Sequence, residues 1–304
     1  MSVSPEHFAG FLERIGHRVR QSGGLYWFNS QRGVYSSFPF HRSIDAHEVQ
    51  IPEILRRDGM IARFGCPAGQ GIDSFRVLCS RRDYDFPALR SRTRTQVRRG
   101  LEACRVERVD FSTLQQQAIP LNADTLIRQG RRVPGNLAAY WTRYYDAAAT
   151  TEGAEAWASF VGNELAAYLI SFTMDDVANL VIVRSSLKHL ESFPNNALLF
   201  RFLYERLRTG DISQVCYGYE SIQAELQSLD QFKTGMGFEK VPTCQRIEVN
   251  GWLKPLLNRY TGPLAARILS TVGDAENAAK LRGILTWYQS QPALVANTEI
   301  RRAA

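Results

Sequence analysis

Lysine is nearly absent: five lysines stand against 32 arginines in the 304 residues. A lysine inside a structured motif is therefore not the by-product of a lysine-rich surface. Cysteine is scarce as well. The five cysteines (Cys66, Cys79, Cys104, Cys216, Cys244) are odd in number and form no C-x-x-C pair. That excludes a disulfide framework and a C-x-x-C redox or zinc motif. Each sits in an apolar or strand-like run, where a thiol behaves as a small hydrophobe, so a reducing, cytoplasmic compartment is expected. The five histidines (His7, His17, His41, His47, His189) lack metal-ligand spacing, and no metal is expected. No apolar run approaches the ~20 residues of a membrane-spanning helix, so stable insertion is not expected. The first residues, Met1-Ser-Val-Ser-Pro-Glu-His-Phe8, carry neither a basic nor an apolar leader segment, and no secretory leader is expected.

What is present is an ordinary globular composition, 44% hydrophobic and 22% charged, with ample length for a core. The formal charge of +7 is unevenly placed. Residues 81–108 hold nine arginines against four acids, and such a stripe favours phosphate-bearing or acidic partners. RNA, coenzyme A, an acidic carrier protein and a membrane surface all qualify; so does a plain solvated helix face. Leu89, Thr93, Val97, Leu101 and Cys104 recur at helical spacing. Arg90, Arg94, Arg98 and Arg105 run beside that stripe, with Arg92 and Arg99 on its other flank.

Hydrophobic periodicity and Gly/Pro punctuation give the element order. A helix over 5–20 is followed by strands at Leu25–Phe28 and Val34–Phe40 and a helix over 45–57. Two strands near 60–66 and 74–79 close this β-β-α-β-β start. From 87 the order is helix, strand (105–109), helices at 112–130 and 135–149, and three strands near 156–161, 165–172 and 180–183. A buried helix over 197–208 ends at Gly210. Strand 215–219, a helix from Ala224 to Lys233, strand 239–249, and tail helices near 252–270 and 274–290 complete the chain.

From 105 to 249 this order resembles the GNAT acyltransferase fold. Several runs are similar to the Fem-like (FemAB-type) aminoacyltransferase branch: Tyr84-Asp-Phe-Pro-Ala-Leu, Arg94-x-x-x-Arg-Arg-Gly-Leu-Glu, Pro194-Asn-Asn-Ala-Leu-Leu-Phe, Tyr217-Gly-Tyr-Glu-Ser and Phe232-Lys-Thr-Gly-Met-Gly-Phe. The resemblance covers about residues 25–250. It implies an α+β protein with a mixed, mainly antiparallel sheet flanked by helices. The expected parts are a reduced N-terminal GNAT-like half (1–86), a GNAT-like acyltransferase domain (87–250) and a helical extension (251–304).

The activity the resemblance implies is transfer of an acyl or aminoacyl group to an amine, on a small molecule or a peptide. The donor would be aminoacyl-tRNA, acyl-CoA or an acyl carrier, with no tightly bound cofactor. The coiled-coil arm that some Fem proteins insert is missing here, which argues against a murein precursor as acceptor. The alternative is a non-catalytic RNA- or carrier-binding module on a degenerate GNAT scaffold.

Residue by residue, Lys233 matches the Fem-like Phe-Lys pair of the donor site. It can neutralise a phosphate or the oxyanion, or simply be a helix-end lysine favoured by the dipole. Phe232 shapes the donor pocket or belongs to the core. Tyr217 and Tyr219, two apart, are expected on one strand face, as a donor-side wall and as a proton donor, or as aromatic packing. Glu220 is a candidate base for the amine, or a helix-start carboxylate. The connection from Arg184 to Asn196 contains no glycine, so a coenzyme A pyrophosphate is not wrapped there in the usual way. Asn195 and Asn196 can receive an anion at the following helix start, or Asn195 only caps it. Ser185 and Ser186 leave the central strand where substrate is expected. Arg90, Arg94, Arg98, Arg99 and Arg105 are candidate phosphate or nucleic-acid contacts, with Arg98 alternatively paired to Glu102.

Overall fold

The computed structural model describes residues 2–128, 130–220, 227–256 and 275–294. Contacts divide the chain into two units that interleave in sequence. The first comprises residues 1–16, 77–218 and 228–240; the second comprises 17–76, 219–227 and 241–304. On sequence the cuts were expected at 86/87 and 250/251.

The first unit opens with helix α1 (Pro5–Arg14). Ser4 Oγ accepts the Glu6 N–H at 3.3 Å, and Pro5 occupies the first turn, where its missing N–H costs nothing. The helix expected to run to residue 20 stops sooner, because Gly16 takes φ +97°. Val19–Ser22 is instead a strand, β1, of the second unit.

The remaining elements of the first unit follow the apolar pattern closely. Helix α3 (Ser91–Ala103) leads into β6 (Arg105–Val109). The expected helix over 112–130 is two, α4 (Phe111–Gln117) and α5 (Ile119–Arg128), and α6 (Leu137–Ala149) follows. Strands β7 (Ala154–Val161), β8 (Glu164–Met174) and β9 (Val177–Ser185) form an antiparallel meander with β6 at its edge. Helix α7 (Pro194–Arg208) crosses back, and β10 (Gln214–Tyr219) pairs parallel to β9. Helix α8 (Gln227–Gly235) ends this part; the expected start at Ala224 lies outside the described residues.

Helix α7 fully buries Leu198, Leu199, Phe202, Leu203 and Leu207. At roughly 1.5–3 kcal/mol per buried large apolar side chain, tertiary packing rather than propensity holds it. It packs on α3 through Gly100, where an added Cβ would stand 2.8 Å from the Phe193 carbonyl oxygen. All five cysteines are buried and unbridged. Burial pushes the Cys79 thiol up to about 11, so it is inert at neutral pH.

The second unit is built on β1, β2 (Leu25–Gln31) and β3 (Val34–Phe38), an antiparallel meander. Strand β4 (Ile61–Cys66) pairs parallel to β3 and antiparallel to β11 (Glu239–Val249). Strand β5 (Ile72–Cys79) neighbours β11. One face packs Trp27, Tyr35, Ile54, Leu55, Phe64 and Cys66 into a core. Ile44, Ala46 and Val49 join that core from a loop, so the helix expected over 45–57 contracts to α2 (Ile51–Leu55). On the opposite face Ile61, Ile247 and Val249 pack under Ile284 and Leu285 of α9 (Ala275–Ser290). Of the other expected tail helix, Gly251–Leu256 is a 3-10 turn, and 257–270 lies outside the described residues.

Asp58 fastens this unit. It accepts from Arg20 Nη2 at 2.6 Å and from Tyr35 Oη at 2.8 Å, and Arg18 also donates to it. Burial pushes its carboxyl up, but the Arg20 and Tyr35 hydrogen bonds outweigh that and hold it down at about 2. A depressed carboxylate stabilises the fold above its unfolded pKa of about 4 and loses that contribution as pH falls through the folded value. Wild type should therefore lose melting temperature more steeply than Asp58→Asn between about pH 4 and pH 2. Parallel acid limbs would show that Asp58 carries no such linkage. No described helix is long and apolar enough to cross a membrane.

Candidate active site

Strand β9 is paired along its whole length on one side, from Val177 opposite Met174 to Ser185 opposite Ala167. The register slips between Ile170 and Ser171, which face Ile182 and Leu180, so Val181 is the extra residue of a bulge. On the other side β10 pairs with β9 only at Gln214–Val177, Val215–Ala178 and Cys216–Asn179. Beyond these, Leu180–Ser185 has no β10 partner among the described residues. Gly218, at φ +108°, takes β10 out of regular strand geometry at that point. The result is an open length of β9 backbone with a bulge at its start and Val181 36% exposed. Unpaired backbone beside a bulge can hold an extended ligand group.

Lys233 lies on this side of the first unit. Helix α8 closes on itself: the Phe238 N–H reaches the Lys233 carbonyl at 3.2 Å and the Met236 N–H reaches the Phe232 and Lys233 carbonyls at 3.0 Å. Gly237 permits the turn at φ +88°. Its close neighbours, Tyr84 Cε2 at 3.1 Å and the Ala88 carbonyl at 3.2 Å from an added Cβ, leave little room for a side chain. Tyr84 Oη then donates to the Met236 carbonyl at 2.7 Å. This stop brings Phe238 against Tyr217, ring centroids 5.5 Å apart, while Phe232 is half-buried.

Lys233 itself is only 8% exposed, with Nζ 4.6 Å from the centre of the Tyr217 ring. Among the described residues no carboxylate lies within 4 Å of it; Asp230, one turn earlier, is taken by Lys240 at 2.8 Å. Burial lowers the Lys233 pKa, with Asp230 and Cys216 opposing. Burial likewise pushes Tyr217 up to about 12, against the pull of Arg184. The pair is thus a neutral phenol and an ammonium with no carboxylate partner among the described residues. A cation and a neutral O–H donor are what a developing oxyanion and a departing oxygen or sulfur need.

The connection after β9 is held by side chains rather than by glycines. Asn195 Nδ2 donates to Ser185 Oγ at 3.0 Å, and Arg128 Nη1 reaches the same oxygen at 3.4 Å. Ser186 Oγ accepts the Lys188 N–H at 3.2 Å. Helix α7 begins at Pro194, and its cap residue is Phe193, in the left-handed region at φ +51°. Asn195 and Asn196 are therefore inside the first turn rather than at the cap. Asn195 Oδ1 is buried without a partner. Asn196 is buried and turned toward Gln96 Oε1 (3.5 Å) and Met236 Sδ (3.9 Å).

Tyr219 and Glu220 stand apart from this set. The non-extended Gly218 interrupts the two-residue alternation, and the two tyrosines keep different company. Tyr217 lies with Lys233 and Phe238, whereas Tyr219 and Glu220 belong to the second unit, next to Gly65 and Arg63.

Of the arginines, Arg90, Arg92, Arg98, Arg99 and Arg105 are exposed. Arg98 lies 5.3 Å over the Phe86 ring, Arg99 4.9 Å over Phe193 and Arg105 4.7 Å over Phe160. Arg105 also pairs with Glu107. No Arg98–Glu102 ion pair forms among the described residues. Arg94 turns inward, with Nη2 donating to the Leu89 carbonyl at 3.2 Å and Nε buried without a partner. The surface is a row of guanidinium groups partly braced on aromatic faces.

Sequence reasoning missed Arg184. It ends the open length of β9, opposite Tyr168 on β8, and its charge reaches Tyr140, Tyr144, Tyr145, Tyr168 and Tyr217. Among the described residues it has no carboxylate within 4 Å, and its hydrogen bond goes to the Val183 carbonyl at 3.1 Å. The available signal was a lone charge closing the apolar run Leu180-Val-Ile-Val.

No family model matches the sequence, and no curated protein matches it. Solved structures do. FemX aligns with a TM-score of 0.57 at 12% identity, over 86% of this chain and 93% of its own. The C-terminal domain of a protein described as a lysylphosphatidylglycerol synthetase, from Agrobacterium fabrum, gives 0.54 at 12% identity, over 86% and 92%. L-PGS from Bacillus licheniformis gives 0.52 at 13%, over 86% and 99%. At such identities the likeness is one of fold: this chain has the mixed, mainly antiparallel GNAT-type architecture, in the form that FemX and these synthetase domains share.

Proposed function

We propose that the chain is an acyltransferase that moves an acyl or aminoacyl group onto an amine, with the open length of β9 as the seat of the acyl group. One observation carries this reading: β9 and β10 part after three pairs, and the buried Lys233, with no carboxylate partner among the described residues, stands on Tyr217 where β10 leaves regular pairing. In the reaction the amine nitrogen attacks the acyl carbonyl carbon. The carbonyl oxygen becomes an oxyanion, the bond to the leaving oxygen or sulfur breaks, and the amine gives up a proton. Lys233 stabilises the oxyanion, and Tyr217 supplies a proton to the leaving atom and is restored by the proton that the amine gives up. Phe232 and Phe238 wall the acyl end. Tyr219 and Glu220 are not needed for this assignment.

Aminoacyl-tRNA is the donor favoured over acyl-CoA. The connection from Arg184 to Asn196 has no glycine for wrapping a pyrophosphate, and the arginines of 81–108 present a row of cations. The same two features suit a binding module without chemistry, which is the alternative reading. One of the solved neighbours is named for the synthesis of lysylphosphatidylglycerol, an aminoacylated product. That name is in keeping with aminoacyl transfer.

The test is donor consumption above a protein-free blank, with charged tRNA and with acyl-CoA, for wild type and Lys233→Ala. Wild type should consume charged tRNA, and the variant should be slower by ~10²–10³-fold, as for loss of one oxyanion-stabilising group. Arg98→Gln and Arg99→Gln together should lower the salt slope of tRNA binding by about two. If wild type consumes neither donor while RNA binding stays steeply salt-dependent, the module reading replaces the enzyme.

A further inference from the structure

Outside the candidate active site, several charges drawn out of water are matched. Arg20 meets Asp58 at 2.6 Å, Arg206 meets Glu155 at 2.9 Å and Arg246 meets Glu248 at 2.6 Å. Arg63, on β4 of the second unit, breaks the pattern. It is half-buried and has no carboxylate oxygen within 4 Å among the described residues. Its orientation is nonetheless fixed. Nε donates to Gln245 Oε1 at 2.8 Å, and Gln245 is held in turn by donating from Nε2 to Ser74 Oγ at 2.6 Å. The guanidinium carbon lies 5.6 Å from the centre of the Trp287 ring. Nη2 makes a long contact, 3.4 Å, to the Glu220 carbonyl. Nη1 has no protein acceptor among the described residues.

Two further polar groups share this face. Strand alternation places Gly65 and its partner Gln245 on the Arg63 side. A Cβ at Gly65 would stand 2.5 Å from Tyr219 Oη, so the glycine makes room for that hydroxyl. Ser74, bonded to Gln245, is on the same side, and Arg76 follows two residues later. Arg76 donates through Nη1 to the His41 carbonyl, and its Nε is buried without a partner. Glu220 and Tyr219 act on Arg63 through space and oppose the burial that lowers its pKa to about 10.

We infer that Arg63, with Tyr219 and Arg76 on the same sheet face, is a binding seat for an oxyanion, a phosphate or a carboxylate carried by a ligand of the second unit. A half-buried guanidinium oriented on three sides, with no carboxylate among the described residues within 4 Å, is costly unless an anion completes it. The free N–H groups of Nη1 supply the missing hydrogen bonds. The seat is independent of the transferase reading, because none of its residues takes part in the step assigned to Lys233 and Tyr217.

The experiment titrates the full chain with sodium phosphate, sodium acetate and sodium chloride at constant ionic strength. Melting temperature and tryptophan emission are the two readouts. A saturable rise in melting temperature with phosphate or acetate, but not chloride, is expected, and the larger response names the preferred anion. Trp287→Phe should keep the thermal response and lose the emission change. Arg63→Met should lose both. Should that variant fail to fold, Arg63→Lys, which keeps the charge but not the fork, should bind at least tenfold more weakly. Lys233→Ala should respond like wild type, which separates this seat from the acyl site. Equal responses in wild type and the Arg63 variants, or no saturable response to either oxyanion, would overturn the proposal.

Discussion

Lys233→Met is expected to raise the melting temperature and abolish acyl transfer in the same protein. The lysine is 8% exposed, faces the Tyr217 ring at 4.6 Å and has no carboxylate within 4 Å among the described residues. Its ammonium is therefore desolvated for a cation–π contact alone, which recovers ~2 kcal/mol or less. Methionine keeps the length and the apolar stem and removes the charge. A gain of ~1 kcal/mol, or about 1–2 °C for a chain of this size, follows.

The pH dependence has a definite sign. Burial depresses the folded-state pKa of Lys233, so the folded state binds fewer protons than the unfolded state between that value and the ordinary ~10.4. Wild-type stability contributed by this site is lowest below the folded pKa and recovers as pH rises through that window. The advantage of the methionine variant should accordingly shrink toward alkaline pH. Activity should fall by ~10²-fold or more at pH values below the folded pKa, where the lysine is charged. A variant that is both less stable and fully active would place Lys233 among ordinary packing residues. Cost in stability retained for chemistry is the usual mark of a functional site.

Gly100→Ala is expected to destabilise, against the sign that helix propensity gives. In an exposed helix interior the change gains about 1 kcal/mol. Here the new methyl would stand 2.8 Å from the Phe193 carbonyl oxygen and 3.1 Å from Ala197 Cβ. The first contact is to backbone at the cap of α7, which has no flexible end to move aside. Relief requires α3 and α7 to separate, and overpacking of this kind costs ~1–3 kcal/mol. Since α3 carries Arg98 and Arg99, and Arg99 rests on the Phe193 ring, tRNA affinity should weaken along with the melting temperature. Denaturant midpoints of wild type and variant check the sign directly. A more stable Gly100→Ala would mean that the helices are less closely apposed.

Much of the fold was legible because long apolar runs leave few options. Leu180-Val-Ile-Val could only be an inner strand, and Ala197–Arg208 only a buried helix, with Gly210 at φ +77° just past its end. Short segments were less legible. Ile15 and Val19 fit the stripe of α1, yet Gly16 ends the helix between them. Ile44, Ala46 and Val49 have helix-like spacing but fill the core from a loop. At the site, Lys233 stood out through lysine scarcity and Tyr217 through its place in the Tyr-Gly-Tyr break. Arg184 and Arg63 did not stand out, because an arginine in a chain with 32 of them carries no mark of its own.

By itself the sequence determined the element order, the basic row on α3 and the glycine-free connection from Arg184 to Asn196. These depend on periodicity and composition, which are local. The tertiary structure decided which charges lose their water. Whether an arginine or a lysine finds a carboxylate depends on partners far apart in the chain, as with Arg63, Gln245 and Trp287. It also decided that β9 and β10 part after three pairs, and that Tyr217 and Tyr219 serve different units. One glycine with positive φ redirects everything after it, and no periodicity in the chain records that angle.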